Sequence, residues 1–361
     1  MSGTSTSTTS PATSPGRPSS SGGHSSLATV QEEHWRSAVA ALQPAGEICL
    51  ACHVRPDGDA LGSMLAVAQA LRARGARVIA SFGDEPFQVP GLLGFLPGLG
   101  LLKPPGDVPD RPAVMITFDV SSVDRLGVLA DRAQRSGELI VLDHHASNPG
   151  FGSINLIDPG AAATAVLAAE LIERLGVDLT ADIATGLYTG LATDTGSFRF
   201  STTPAVHRLA ARLLETGIDA DAIAQRLWDS APFGYLRVLS AVLGRAVLEP
   251  AEAAGHGLVW TTVTSQDRNG LPFEVAEGVI DHVRRSQEAD VAVVFKESDD
   301  GQWLVSARSK GRVDVGRAAV ALGGGGHSQA AGFTTCTPVA DTMVRLRALF
   351  SETGLSGTGD A

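Results

Sequence analysis

Four short apolar runs alternate with longer helical segments between residues 30 and 205. The runs are EICLACHV, RVIASF, AVMITFDV and ELIVLDHH. Continuous apolar runs of this kind are typical of parallel strands, which are buried on both faces and show no polar alternation. Parallel strands need long crossover connections, so the segments between the runs are predicted to be helices. The sequence therefore predicts an α/β domain, with a mainly parallel sheet flanked by helices, over residues 30–205.

A second pattern begins near residue 245. GLVWTTVT, ADVAVVFKES and QWLVSARS read as strands separated by helices, which predicts a smaller α/β domain over 245–350. We expect a helical linker over 206–244 and a cleft between the domains. Residues 1–29 are almost entirely Ser, Thr, Gly and Pro and are predicted to be disordered, because they bury too little apolar surface to offset their ordering entropy. Residues 351–361 are predicted to form a flexible tail.

Charge and cysteine content restrict the partners and the compartment. The formal net charge is −11, whereas a protein that coats long nucleic acid needs a basic surface. We therefore expect a short nucleic acid and no long duplex. Apolar runs fall short of the ~20 residues of a membrane span, so no membrane partner is expected. We interpret Cys49, Cys52 and Cys336 as buried thiols of a cytoplasmic protein.

Metal-binding side chains follow three of the predicted strands. They lie in HVRPDGDALGS, FDVSS and LDHHAS, and a small-residue helical segment, GLATDTGSFRF, adds another acid. In an open parallel sheet, ligands bind beyond the carboxyl ends of the strands, so these groups are expected to converge. The candidate residues are His53, Asp57, Asp59, Asp119, Asp143, His144, His145 and Asp194.

Each candidate alone has an ordinary structural explanation. Asp57 and Asp59 could be helix N-caps, and Asp119 a turn residue. Together, crowded carboxylates would raise one another's pKa unless divalent cations neutralised them. The charges of Asp57, Asp59, Asp119 and Asp194 balance two such cations, and a mixture of carboxylates and imidazoles suits Mn²⁺. Paired cations suit hydrolysis at phosphorus.

The same stretches resemble the four motifs of the DHH phosphoesterase superfamily, in order. GGGGHSQAAGF and the preceding VSARSKGRVDVGRAA resemble the DHHA1 domain. The resemblance extends over about residues 30–350. It implies that one Mn²⁺ is held by three side chains: His53, Asp57 and Asp119. It implies that the second is held by four, with Asp119 bridging: Asp59, Asp119, His144 and Asp194. His145 would contact the scissile phosphate, and Asp143 would orient the histidine pair.

The glycine-rich stretch offers a second group of candidate residues. GGGGHSQ exposes backbone N–H groups that can approach a phosphate or a base closely, although a flexible linker is the alternative. Lys310 and Arg312 add positive charge beside this stretch. A role in substrate binding and a place on a solvated strand edge explain these two residues equally well. The resemblance implies that the following residues grip the substrate away from the cleaved bond: Arg308, Ser309, Gly324, Gly325, Gly326 and His327.

The compact two-domain length is similar to the NrnA-like type of this family. That type implies hydrolysis of short oligoribonucleotides and dinucleotides such as pApA to 5′-mononucleotides. It also implies hydrolysis of 3′-phosphoadenosine 5′-phosphate (pAp) to AMP and phosphate. For some members of the type, it implies hydrolysis of cyclic di-AMP as well. The alternatives are a RecJ-like single-strand exonuclease, a manganese pyrophosphatase and a non-catalytic nucleotide sensor. A homodimer is also possible, because an apolar helical face near the domain junction would suit a dimer interface.

Overall fold

The computed structural model describes residues 30–43 and 46–353, together with residues 1 and 3. The segment predicted to be disordered, 1–29, lies outside the described residues except for residues 1 and 3. The predicted flexible tail lies outside them from residue 354 onward.

The first half of the described chain forms a five-stranded parallel sheet with strand order β2-β1-β3-β4-β5. Its strands are β1 (Glu47–Cys52), β2 (Arg77–Phe82), β3 (Val114–Phe118), β4 (Glu138–Asp143) and β5 (Ile154–Ile157). Its helices are α1 (Glu32–Ala41), α2 (Gly58–Ala73), α3 (Ala130–Gln134), α4 (Thr164–Arg174) and α5 (Ala181–Asp194).

Helices cover both faces of this sheet, because alternate strand residues enter different cores. Ile48 and Leu50 of β1 pack with α1, α2, α4 and α5. Cys49 and Ala51 pack on the other face, with α3 and the 3-10 segment Val123–Leu129. The predicted parallel α/β fold is therefore confirmed, and the polar ends of the strands lie along one edge.

Two glycines let α2 and α5 approach closely beneath the candidate site. A Cβ on Gly62 would lie 2.4 Å from the carbonyl oxygen of Gly186, and a Cβ on Gly186 would lie 2.6 Å from that of Gly62. Only glycine fits at both positions, because real Cβ atoms do not approach backbone oxygen so closely. This contact brings the C-terminal end of α5, with Asp194, beside the first turn of α2.

The second half contains three helices and then a mixed sheet with strand order β10-β11-β9-β8-β7-β6. The helices are α6 (Pro204–Leu214), α7 (Ala220–Trp228) and α8 (Gly234–Gly244). The strands are β6 (Val247–Glu249), β7 (Leu258–Val263), β8 (Val291–Glu297), β9 (Trp303–Ser309), β10 (Gly325–His327) and β11 (Ala330–Thr335). Only β7 and β8 pair in parallel in this described sheet.

Each face of the second sheet has its own helical cover. Val293 and Phe295 pack with α11 (Val315–Ala321) and α12 (Val339–Glu352). Ala292 and Val294 pack on the opposite face with α8 and α10 (Val279–Val283); the short α9 is Ser265–Arg268. The second α/β unit expected from the sequence is therefore present.

Some local expectations need correction. Strand β5, an edge strand of only four residues, was not predicted from the sequence. Cys49 and Cys52 are buried free thiols as expected, but Cys336 is exposed, so its predicted burial is wrong. Among the described residues, no helix combines the length and the hydropathy needed to cross a membrane.

We predict that Gly62→Ala lowers the free energy of unfolding by about 1–3 kcal/mol, because the added methyl group overpacks the α2–α5 contact. Urea unfolding followed by circular dichroism measures the change. The control is Gly244→Ala in α8, where a Cβ meets nothing within 4 Å. Equal stability of the two variants would contradict the close-packing explanation.

Candidate active site

Eight acidic and histidine side chains meet at the carboxyl edge of the first sheet. His53 and Asp57 follow β1, Asp119 follows β3, and Asp194 ends α5. Ligand atoms within 4.8 Å of one another occur in three sets of these eight residues, two of which share Asp119: His53, Asp57 and Asp119; Asp59, His144 and Asp194; and Asp119, Asp143 and His145. The structure thus brings together all the acids and histidines that the sequence analysis selected.

Asp119 lies at the centre of this cluster. Its Oδ1 is 3.5 Å from His144 Nε2, and its Oδ2 is 3.4 Å from His53 Nε2. Burial alone would raise its pKa, but the two histidines hold the pKa of Asp119 well below its usual range. The residue has a φ of 59°, in the left-handed region, and its amide donates to the Leu142 carbonyl at 3.0 Å. Such a backbone conformation is uncommon outside glycine and occurs often at functional sites.

His144 presents an unpartnered nitrogen to the acids. Its Nδ1 is 3.2 Å from the Ala161 carbonyl oxygen, so Nδ1–H donates there and Nε2 faces the cluster. Nε2 is 3.0 Å from Asp194 Oδ2 and 4.0 Å from Asp59 Oδ2, yet this buried atom has no hydrogen bond of acceptable geometry. A backbone bond at one ring nitrogen with the other turned toward carboxylates is the usual environment of a metal-binding histidine.

His53 has a similar orientation. Its Nδ1 is 2.9 Å from the Val54 carbonyl oxygen and 3.2 Å from Arg125 Nη2, while its Nε2 is 3.7 Å from Asp57 Oδ2. Burial lowers its pKa, but the Asp119 and Asp57 carboxylates outweigh burial and raise the pKa of His53 to about 10. Without a cation, the histidines therefore carry protons that a bound cation would replace. The residues present fit a metal ion in both charge and ligand type.

Asp59 is fully buried and belongs to two elements at once. It lies in the first turn of α2, but its Oδ2 accepts from the Thr164 amide at 2.6 Å and its Oδ1 from the Ala165 amide at 2.9 Å. It therefore satisfies two of the free N–H groups at the start of α4, whose own N-cap residue, Ala163, supplies no side-chain bond. Burial and the nearby Asp119 and Asp194 charges raise the pKa of Asp59 well above its usual value.

Asp57 combines the ordinary role with a place in the cluster. Its Oδ1 caps α2 by accepting from the Asp59 and Ala60 amides at 3.1 and 3.0 Å. Its Oδ2 is the oxygen that faces His53. Asp57 can therefore cap α2 and bind a metal ion at the same time, because each role uses a different oxygen.

Asp143 lies behind His145 and fixes its ring. Its Oδ1 accepts from His145 Nδ1–H at 2.8 Å, and its Oδ2 accepts from Asn148 Nδ2 at 2.6 Å. Asn148 also donates to the Val120 carbonyl at 2.9 Å, which ties this chain of contacts to the backbone after β3.

Two residues of the site were missed by sequence reasoning. One is Asn148, whose only signal was its place five residues after the acid of LDHHASN. The other is Thr164, whose hydroxyl donates to Asp119 Oδ1 at 3.0 Å. No local pattern marks Thr164, because its contact depends on how α4 packs against β4 and α2.

The second sheet reaches the same cluster through His327. The His327 ring stacks on that of His145 with centroids 4.4 Å apart and an angle of 12°, and its centroid is 4.7 Å from that of His144. Burial, and then the charges of His145 and His144, lower the pKa of His327 to about 4, so it is neutral near pH 7.

Arg308 lies on the same face of the sheet as His327. Ala330 is paired with His327 on one side and with Arg308 on the other, and directly opposed residues share a face. The small Ala330 side chain leaves the space between them open. The structure places Ser309 differently: it is buried, and its hydroxyl donates to Asp290 at 2.8 Å and accepts from the Gly311 amide at 2.9 Å.

The glycines of GGGGH serve different purposes. A Cβ on Gly324 would lie 2.1 Å from the Gly332 oxygen, and one on Gly326 would lie 2.5 Å from the Ala330 oxygen, so both allow β10 to pack on β11. A Cβ on Gly325 would meet nothing within 4 Å. Because Gly325 is two residues before His327 on the same strand, it lies on the same face and leaves the surface beside His327 open.

Family models match both halves of the chain. The model of the DHH family, N-terminal domain, matches residues 47–191, and that of the DHHA1 domain matches residues 259–352. A protein of Thermus thermophilus named bifunctional oligoribonuclease and PAP phosphatase NrnA is 37% identical over 80% of this chain and 84% of its own length.

The chain belongs to the DHH family.

Other DHH-family relatives agree with this assignment. A probable bifunctional oligoribonuclease and PAP phosphatase NrnA of Streptococcus mutans is 26% identical over 82% of this chain and 92% of its own. The crystal structure of an exopolyphosphatase-related protein from Bacteroides fragilis has a TM-score of 0.78 and 23% identity, covering 90% of this chain and 97% of its own. That likeness shows the shared fold. The convergent acids and histidines lie within or just beyond the stretch that the DHH model matches, and His327 and Arg308 lie within the DHHA1 match.

We predict that divalent cations stabilise the protein through this cluster. Ligand binding to the folded state adds roughly 2.7 kcal/mol at a hundredfold excess over Kd, so Mn²⁺ should raise the melting temperature by several degrees. Asp119→Asn should abolish the shift, because asparagine tolerates the left-handed backbone but carries no charge. Differential scanning calorimetry measures the shift. The control is Asp124→Asn, at an exposed acid near the site; loss of the shift in this control would contradict the assignment.

Proposed function

We propose that the protein is a two-metal phosphoesterase that hydrolyses short oligoribonucleotides and dinucleotides such as pApA to 5′-mononucleotides, and pAp to AMP and phosphate. The observation that supports this proposal most directly is the stacking of the His327 ring on the His145 ring. It puts a binding surface of the second sheet directly against the acids and histidines of the first. The names of the Thermus and Streptococcus relatives describe these two activities.

For the cations, we propose two Mn²⁺ ions. The first would be held by His53, Asp57 and Asp119. The second would be held by Asp59, Asp119, His144 and Asp194. When bound, such ions neutralise developing charge on a phosphoryl group and activate water for attack. The two-sided position of Asp119, with one oxygen near each histidine, supports its assignment as the bridging ligand.

The remaining side chains would orient the substrate. With Nδ1–H held by Asp143, the His145 ring is fixed, and its Nε2 is free to contact a phosphate oxygen. Neutral His327 covers His145 and limits water on that side. Asn148 positions Asp143 and acts on the reaction only through it.

The binding surface supports a short substrate. Two interstrand steps of about 5 Å separate His327 from Arg308, so their backbones are ~10 Å apart. Arg308 would hold the substrate away from the cleaved bond. Gly324, Gly325 and Gly326 would shape the strand that carries His327, with Gly325 facing the substrate. Ser309 would act indirectly, by holding the turn after β9 through Asp290.

The alternatives are less well supported. A RecJ-like exonuclease needs a longer cationic path, and the chain carries a net charge of −11. A manganese pyrophosphatase would not use a glycine-rich strand shaped for a nucleotide. A sensor without catalysis would have no need of Asp119 in its uncommon backbone conformation.

Two further assignments belong to the proposal. A homodimer is supported by large exposed apolar side chains on the helical segment that links the two sheets, such as Trp228, Phe233 and Leu236. A cytoplasmic location is supported by the free Cys49 and Cys52 thiols.

Incubation with Mn²⁺ and pApA, pAp or cyclic di-AMP tests the function, with nucleotides separated by ion-pair chromatography. We expect AMP from pApA and from pAp, and a loss of at least about a hundredfold in kcat for Asp119→Asn. Cyclic di-AMP is included because a Geobacillus thermodenitrificans relative named cyclic-di-AMP phosphodiesterase GdpP is 27% identical over 76% of this chain and 42% of its own length. Hydrolysis of none of the three substrates would refute the proposal.

A bulkier residue at Gly325 should block the substrate without disturbing the fold. We expect Gly325→Val to raise KM for pApA by roughly tenfold or more, because its side chain projects into open space beside His327. Steady-state kinetics measure the change, and Gly325→Ala should show a smaller effect. An unchanged KM in both variants would mean that the substrate does not pass this strand.

A further inference from the structure

Two arginines from different halves of the chain lie over one phenylalanine ring at the junction of the sheets. The Arg199 guanidinium carbon is 5.3 Å from the centroid of the Phe200 ring, and that of Arg284 is 4.5 Å from it. Arg199 and Phe200 follow α5, within six residues of Asp194, and Arg284 follows α10, which packs on the second sheet. Cation–π contacts of this kind hold a guanidinium in place without neutralising its charge.

The loop that carries Arg199 is fixed in an uncommon conformation. Ser197, Phe198 and Ser201 all have positive φ. The Arg199 and Phe200 amides both donate to the Thr195 carbonyl, at 2.9 and 3.0 Å. The Phe198 ring also stacks on His207. The position of the guanidinium relative to Asp194 is therefore set by the fold rather than by a flexible side chain alone.

Arg199 and Arg284 form no ion pair within the described part of the chain. Several arginines elsewhere pair with a carboxylate, as Arg174 does with Glu32 and Arg347 with Glu249. Within residues 46–353, neither Arg199 nor Arg284 has a carboxylate oxygen within 4.0 Å. Burial, and then the charge of Arg308, lower the pKa of Arg284; Asp281 acts in the opposite direction and Arg199 adds to the lowering.

Arg284 is partly buried, whereas Arg199 is exposed. Like charges held close together are unfavourable, most of all for the partly buried group, unless an anion lies between them. The charge of Arg308 acts on Arg284, and Arg308 lies on the same face of the second sheet as His327. Arg199 follows Asp194 by five residues. A phosphate group suits paired guanidinium donors, because they match its geometry and charge.

We propose that Arg199 and Arg284, held by Phe200, form a subsite for the terminal phosphate monoester of the substrate, and so select nucleotides that carry a phosphate at the end away from the cleaved bond. The inference rests on the proposed function and deepens it. It explains why an acidic chain concentrates unpaired arginines at the junction of its two sheets.

The test compares pApA with ApA, which differ only in the 5′-terminal phosphate. In the Mn²⁺-loaded protein, Arg284→Met should lower kcat/KM for pApA by roughly tenfold or more and that for ApA by less than about twofold. Arg285→Met is the matched control, because it removes a charge from the exposed neighbouring residue. It should leave kcat/KM unchanged for both pApA and ApA. Arg199→Met should reproduce the selectivity of Arg284→Met, and it decides the question if Arg284→Met fails to fold.

Equal losses for pApA and ApA would overturn the proposal, since Arg284 would then merely hold the two halves together. The same loss in Arg285→Met would also overturn it, because general electrostatics would be the cause. So would equal kcat/KM values for the two dinucleotides with the unmodified protein.

Binding separates this inference from the proposed function. Calorimetry with methylene-phosphonate analogues of pApA and ApA, which are not hydrolysed, measures affinity without turnover. An Arg284-dependent preference for the 5′-phosphorylated analogue supports the subsite even if no natural substrate is hydrolysed. Hydrolysis of pApA without such a preference supports the function and refutes the subsite.

Discussion

The rest of the site depends on the accommodation of the four carboxylates proposed to bind metal, Asp57, Asp59, Asp119 and Asp194, at one edge of the first sheet. Asp59 is the most constrained of them, because it is fully buried and accepts from the amides of Thr164 and Ala165 and from the Ser63 hydroxyl. Those bonds fix where α4 begins relative to α2. A Cβ on Gly190 would lie 2.6 Å from Asp59 Oδ1, so the position of Asp59 also requires glycine in α5. The helix packing and the acid cluster are therefore one arrangement.

Several groups serve fold and site at the same time, and this explains why single-residue explanations were ambiguous. Asp57 caps its helix with one oxygen and faces His53 with the other. Thr164 begins α4 and donates to Asp119. Removing Asp57 changes both the local hydrogen bonding and the charge of the cluster, and removing Thr164 takes away a hydrogen bond to Asp119. Stability and metal affinity are consequently coupled at this edge.

Much of this could be predicted from the sequence, because the informative patterns are local. The apolar runs predicted β1 to β4, and the residues that follow them predicted the edge at which His53, Asp119 and His144 meet. Contacts between distant segments could not be predicted in that way. Thr164 depends on the docking of α4, and the burial of Ser309 depends on its partner Asp290. Gly324, Gly325 and Gly326 were expected to face a substrate. Gly324 and Gly326 are instead required for packing against β11, and only Gly325 of these three lies beside open space.

The acid cluster and the arginines carry opposite charges, and this constrains how a substrate can lie between them. The first sheet offers carboxylates that repel phosphate until cations cover them, whereas Arg199 of the first half and Arg284 and Arg308 of the second would attract phosphate at any cation concentration. A nucleotide with two phosphate groups would therefore be held first by its distal phosphate, and the other would enter the acidic edge only with the cations bound. His327 lies between these regions and is neutral near pH 7, since its pKa is about 4. A charged ring at that position would bind phosphate short of the cations, so the burial of His327 against His145 favours passage of the phosphate to the acidic edge.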